Sequence, residues 1–133
     1  MNHKEVVIYW KKIAEHDYKT MLGLKKIKRY SDSLFFGHII LEKILTALVV
    51  KVTKKQAPRI HDLVRLHDLA KLNMQEDDLI LLKEINNFNI ATRYPDFKLK
   101  FYQTCTKKFT EKYYKQIIVL YKKLCQNLKR KKL

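Results

Sequence analysis

Residues that break helices are scarce in this chain, which has only two Gly and two Pro in 133 positions. A many-stranded sheet needs turn residues roughly every 8 to 12 positions, so the scarcity points to long helices with short connections. With 47% hydrophobic residues, the chain is too apolar to stay disordered. Its length gives room for one hydrophobic core, and positions 1 to 133 are expected to form a single domain. The fold class that follows is all-α, an up-and-down bundle of four to five helices.

Apolar periodicity places those helices. Val6, Trp10, Ala14, Asp17, Met21 and Leu24 recur at three- and four-residue steps and predict a first helix from about Lys4 to Ile27. Asp17 then faces inward, where a carboxylate needs a partner. After a turn at Arg29 and Tyr30, Ser31 is the expected N-cap of a second helix, with Asp32 near its positive end. Leu34, His38, Leu41, Leu45, Leu48 and Val52 form its stripe, and Pro58 places its end in the stretch 53–58. A short third helix, about Asp62 to Lys71, carries Leu63, Leu66 and Leu69. Glu76, Asp77 and Asp78 suit the start of a fourth, with Leu79, Leu82 and Ile85 on its inner face. Residues 91–96 are expected to be a loop. The last helix starts between Lys100 and Lys107 and keeps Cys105, Phe109, Tyr113, Ile117, Leu120, Leu124 and Leu128 on one face.

The net charge is +16. It is densest after Asp96, where Phe97 to Leu133 hold eleven Lys and one Arg against the single acid Glu111. Such a field attracts polyanions, and Lys98, Lys100, Lys107 and Lys108 are the expected attractors. The surplus is mostly Lys, which also suits an AT-rich coding sequence or a heat-adapted surface. Cys105 and Cys125, read as one helix, lie about 30 Å apart, beyond disulfide reach. Unpaired thiols and no signal peptide point to the reducing cytoplasm. The most apolar stretch, Leu34 to Val52, carries His38, Glu42, Lys43 and Lys51, which suits a buried helix and no membrane span.

Three constellations carry candidate chemistry. His61-Asp62-Leu63 is echoed by His67-Asp68-Leu69, but six residues on a helix turn the two His about 120° apart, so no shared metal ion is expected. His61 then caps or packs at a helix start, and His67 is solvated. His38 and Glu42, one turn apart with Lys43 beside them, form either a satisfied polar network or the floor of a ligand cleft, with Asp17 across from them. Arg93-Tyr94-Pro95-Asp96 sets an Arg, an aromatic ring and a carboxylate in one stiff turn. There Arg93 either holds a phosphate while Tyr94 stacks on a base, or pairs with a carboxylate while Tyr94 buries its ring.

The run from Ser33 to Leu48, then Pro58 to His61-Asp62-Leu63, then Arg93-Tyr94-Pro95-Asp96, closely resembles the HEPN domain family, and Trp10, Ala14 and Asp17 match the pattern of its first helix. The resemblance implies a homodimeric helical bundle from prokaryotic defence, toxin-antitoxin or nucleotide-handling systems, often beside a minimal nucleotidyltransferase. Exposed-looking aromatics, Phe36, Tyr102 and Tyr114, suit the homodimer. Ribonuclease members of the family use an Arg followed, after four to six residues, by a His. Arg29, Arg59, Arg65 and Arg93 all lack that His, and Arg130 has too few residues after it. The expected function is therefore non-catalytic binding of a nucleotide or nucleic acid, without cofactor or metal, through Arg93, Tyr94, Asp96, His38, Glu42, Lys43 and His61. The alternatives are a metal-independent ribonuclease toxin that replaces the missing His with Lys98, Lys100, His38 or His61, and a purely structural interaction module.

The missing His yields a direct expectation, because general acid/base cleavage lacks its proton carrier. Purified protein should leave single-stranded RNA intact in a metal-free gel assay. Cleavage that disappears in Arg93→Ala would reveal a variant active site.

Overall fold

The computed structural model describes residues 1–130, which form six helices and no strand. In chain order these are α1 (His3–Lys26), α2 (Tyr30–Thr53), α3 (Leu63–Leu69), α4 (Glu76–Arg93), α5 (Pro95–Thr104) and α6 (Lys107–Lys129). The all-α bundle is as the sequence predicts, with one helix more than the periodicity resolves.

Helix α2 is the axis of the bundle. Leu34, Ile40, Leu41, Ile44, Leu45 and Ala47 are all fully buried and cover about half of its circumference, and Thr46, Val49 and Val50, also buried, face the other half. The helix is long and apolar enough to cross a membrane, yet most of it is buried against the other helices. Each Leu or Ile removed from water contributes about 1.5 to 3 kcal/mol. Helix α1 runs antiparallel along it, tied at the turn by Ser33 Oγ donating to the Met21 carbonyl at 3.0 Å. On another side α6 presents Ile117, Leu120 and Leu124, all buried, and its Tyr121 stacks on Tyr18 of α1 at 4.9 Å. Phe88 of α4 gathers Phe101, Phe109 and Tyr113 around itself, with ring centroids 5.1 to 6.0 Å away.

With so few glycines, the helix ends use other means. Lys28, Lys54 and Lys71 all adopt left-handed backbone, with φ of 66°, 58° and 56°, a conformation that costs a residue with a Cβ roughly 1 to 2 kcal/mol. After α1 the Arg29 amide reaches back to the Leu24 carbonyl at 2.8 Å, and after α3 the Leu72 amide reaches His67 at 3.3 Å. These bonds close Schellman-type ends that satisfy otherwise orphaned carbonyls. At the end of α6 the Lys51 ammonium, from α2, donates to the carbonyls of Leu128 and Arg130. A cation there also suits the negative end of the helix.

Several expectations need correction. Ser31 lies inside α2 and is buried, since the turn closes early enough for the helix to begin at Tyr30. The stretch 91–96 is no loop: α4 runs through Arg93 and α5 starts at Pro95, leaving only Tyr94 in extended backbone. Pro95 is in the first turn of α5, where its missing N–H costs nothing. Cys105 ends α5 and so shares no helix with Cys125; burial pushes its thiol up to about 12. Asp17 is only partly buried and meets His16 at 3.4 Å, not the His38–Glu42 level. Phe36 and Tyr114 are half-buried against the core, so of the three expected exposed aromatics only Tyr102 is exposed.

Gly37 marks the closest approach of α2 and α6. A Cβ built there would lie 2.7 Å from Ile117 Cδ1, and because Ile117 is fully buried its δ-methyl would have to shift within a packed core. Overpacking of this kind costs typically 1 to 3 kcal/mol. Gly37→Val is expected to lower stability by about 2 kcal/mol in urea unfolding, with part of the loss recovered by Ile117→Ala.

Candidate functional site

The segment after Thr53 does not wander into solvent. Asp62 caps α3 by accepting from Val64 and Arg65 at 3.0 and 3.3 Å, and Asn86 of α4 grips both the Asp62 carboxylate, at 3.0 Å, and the Leu63 amide, at 2.9 Å. Ala57 and Ile60 pack on the core. The segment therefore lies back alongside α2, and between it, α1 and α2 opens a cleft of about 860 Å³. Tyr9 and Trp10 line it from α1, Glu42 and Lys43 from α2, and Lys54, Lys55, Arg59 and His61 from the segment.

Behind the cleft stands His38, fully buried. Its Nε2 is 2.8 Å from the His61 carbonyl. A carbonyl only accepts, so Nε2 carries the proton and Nδ1 bears the lone pair of the neutral ring. Nδ1 has no hydrogen-bond partner and faces Glu42 Oε1 at 3.7 Å, too far for the hydrogen bond that the one-turn spacing suggests. Glu42 Oε1 instead accepts from His61 Nδ1 at 3.0 Å. The His61 ring is half-exposed, which leaves its Nε2 toward water. Lys43 lies 3.8 Å from Glu42 Oε2 and 5.1 Å over the Trp10 ring.

The candidate residues thus separate into two places. Glu42, Lys43 and His61 line the cleft with His38 just behind, whereas Arg93, Tyr94, Asp96, Lys98 and Lys100 sit exposed at the α4–α5 corner and line no part of it, although the Arg93 charge is felt at His38. Arg93 pairs with no carboxylate among the described residues; its Nε donates to Asn89 Oδ1 at 2.7 Å, and Asn89 is itself buried. Tyr94 does not bury its ring and is 55% exposed. Lys107 and Lys108 are exposed at the start of α6. His61 lies before α3, so helical arithmetic does not relate it to His67. His67 is buried, bonded to Asp68 at 2.9 Å and to the Met74 amide at 3.4 Å, where the sequence suggested a solvated ring. No three His, Cys, Asp or Glu side chains converge among the described residues.

A family profile for the HEPN domain matches residues 7–131. The chain belongs to the HEPN domain family. No curated protein and no solved structure matches it significantly. In this HEPN domain the turn after α2 brings Lys54, Lys55 and Arg59 to the cleft, positions at which the sequence carries no motif. Basic residues on either side of Pro58, with Arg59 two residues before His61, are the signal available for them. Trp10 was visible as part of the first-helix pattern, but nothing in that pattern says that its indole meets Lys43.

His38 gives this HEPN domain a pH response of known sign. Burial above all holds its pKa below 6.5, and the nearby His61 and Arg93 charges act the same way, against the opposing pull of the His61 carbonyl and Glu42. Below pH 6.5 the unfolded chain then binds more protons than the folded one. The stabilisation is complete above pH 6.5 and is lost as the pH falls toward the folded-state value. Melting temperature should drop between pH 7.5 and 5.5, and His38→Gln should flatten that drop in circular-dichroism melts.

Proposed function

We propose that this HEPN domain is a non-catalytic binding protein for a nucleotide or nucleic acid, and that the α1–α2 cleft is where the ligand sits. One observation carries the reading: an indole, covered by Lys43, and the cations Lys54, Lys55 and Arg59 share a single cleft whose one lining carboxylate among the described residues, Glu42, is already engaged by His61. Aromatic faces hold bases by stacking, and guanidinium and ammonium groups hold phosphates. Cleft volumes of about 300 to 1,000 Å³ suit small organic ligands, and this one falls within that range. Non-catalysis is supported by the missing Arg-to-His spacing. The exposed lysines of α5 and α6 supply long-range attraction, and Arg93, braced by Asn89, offers a second phosphate contact for a longer chain. Homodimerisation, a nucleotidyltransferase partner and a toxin-antitoxin or defence setting belong to the same proposal and rest on the family alone.

A ribonuclease is the second reading, favoured by one feature. His61 has its Nδ1 oriented by a carboxylate and its other nitrogen open to the cleft, an arrangement that suits proton transfer. Of the four proposed replacements for the missing His, it alone has this support.

Trp10 is the only Trp in the chain, so its fluorescence reports on the cleft alone. Nucleoside monophosphates and single-stranded RNA are expected to quench it saturably. Lys55→Ala combined with Arg59→Ala should weaken mononucleotide binding about tenfold or more, the scale of one charged hydrogen bond. Arg93→Ala should leave the mononucleotide unaffected and weaken only the longer RNA. A mononucleotide that loses affinity in Arg93→Ala and keeps it in the double variant moves the site to the α4–α5 corner.

A further inference from the structure

We infer that the cleft selects guanine, with Glu42 reading the donor edge of the base; the inference rests on the reading that the cleft binds a nucleotide. Lys43 carries the argument. Its ammonium covers two features at once, the Trp10 ring at 5.1 Å and Glu42 Oε2 at 3.8 Å. Oε1 of the same carboxylate is occupied by His61 at 3.0 Å, whereas at 3.8 Å the ammonium is an ion-pair neighbour of Oε2 and no hydrogen-bond donor to it. The carboxylate is largely buried, with its side chain 10% exposed, so an unfilled acceptor there is costly.

A ligand that replaces the ammonium must bring a flat face to the indole and N–H donors to the carboxylate. A base stacked on Trp10 brings both. Guanine presents two adjacent donors, N1–H and the 2-amino group, which match the fork of a carboxylate, one on the open Oε2 and the other on the second lone pair of Oε1 beside His61. Adenine and cytosine each present one amino group beside a bare ring nitrogen, and uracil presents one N–H between two carbonyls. Those lone pairs would face Glu42 and repel it. Lys43 stands on a flexible stem and can swing away from Trp10. Lys54, Lys55 and Arg59 in the same cleft remain for the phosphate.

Trp10 quenching by GMP, IMP, AMP, CMP and UMP at one salt concentration tests this. GMP should bind at least about tenfold tighter than UMP, with IMP, which lacks the 2-amino group, between them. In Glu42→Gln the GMP preference should shrink about tenfold, while Lys43→Met should keep GMP affinity or raise it. Equal binding of GMP and UMP, or a preference that survives in Glu42→Gln, overturns the guanine assignment and leaves the nucleotide reading standing. Quenching by none of the five overturns both. If Glu42→Gln does not fold, the GMP, IMP and UMP series on the native chain and on Lys43→Met decides, and loss of GMP affinity in Lys43→Met assigns that lysine to the phosphate and sinks the inference.

Discussion

Helix α2 touches each of the other five helices, so a polar group on it has almost no route to water. A buried polar group without a partner costs about 1 to 3 kcal/mol, and α2 answers that constraint residue by residue. Ser33 donates to a carbonyl of α1, Thr46 to the Glu42 carbonyl one turn back at 2.7 Å, and His38 to the His61 carbonyl. The rule relaxes at His38 Nδ1, which has no hydrogen-bond partner among the described residues, and at Glu42. Glu42 is the charged residue of α2 buried deepest, at 7% exposure, and its two oxygens meet a half-exposed imidazole and an ammonium at ion-pair distance. A helix that must satisfy its polar groups internally therefore leaves one carboxylate turned toward a cleft.

The same constraint builds the cleft wall. By bonding the His61 carbonyl, His38 fixes the end of the 54–62 segment to α2, and Asn86 fixes the next residues to α4. The net worth of one such bond is about 0.5 to 1.5 kcal/mol, yet its loss would leave both a buried imidazole and a backbone carbonyl unpaired. Stability and site geometry are consequently coupled at His38, which itself lines no part of the cleft. A buried, neutral His behind a cationic cleft also adds no charge to it, leaving the positive field to groups that can reach a ligand.

How much of this was legible in the sequence follows from what periodicity can see. The stripes of α1, α2, α4 and α6 announced themselves because each repeats apolar residues over several turns. Helix α5 did not: within Pro95–Thr104 only Phe101 is buried, so no stripe exists to detect, and the Pro95 that reads as a loop is in fact a helix start. Ser31 looked like a cap because Ser favours that position, but a tight turn through Lys28 moved the helix boundary ahead of it. His38, Glu42, Lys43 and His61 were legible as a group, His38 and Glu42 by spacing and His61 by the family pattern. Their bonding was not, since the Glu42–His61 contact joins residues nineteen apart through a linker whose path no local rule supplies. Arg93 and Tyr94 stood out for composition, and that signal is blind to where the corner points.

Position around α2 also divides the charge of the chain. Gly37 faces α6 and Glu42 faces the cleft, and five residues on a helix amount to a rotation of about 140°. Lys107 and Lys108, at the start of α6, thus lie away from the cations of the cleft, whereas the end of that helix comes round to Lys54 through Leu128. Free charges interact over about 10 Å at ordinary salt, so in the proposed binding Lys107 and Lys108 act on a ligand through the field that draws it in, while Lys54, Lys55 and Arg59 act by contact. On the proposed reading a mononucleotide feels chiefly the second set and a polynucleotide feels both. Affinity for the short ligand then responds to cleft geometry, and the extra affinity of the long one responds to salt. On that reading a +16 chain can bind polyanions broadly and still discriminate one base, because the cations proposed for the two tasks sit at different places around the helix that holds the bundle together.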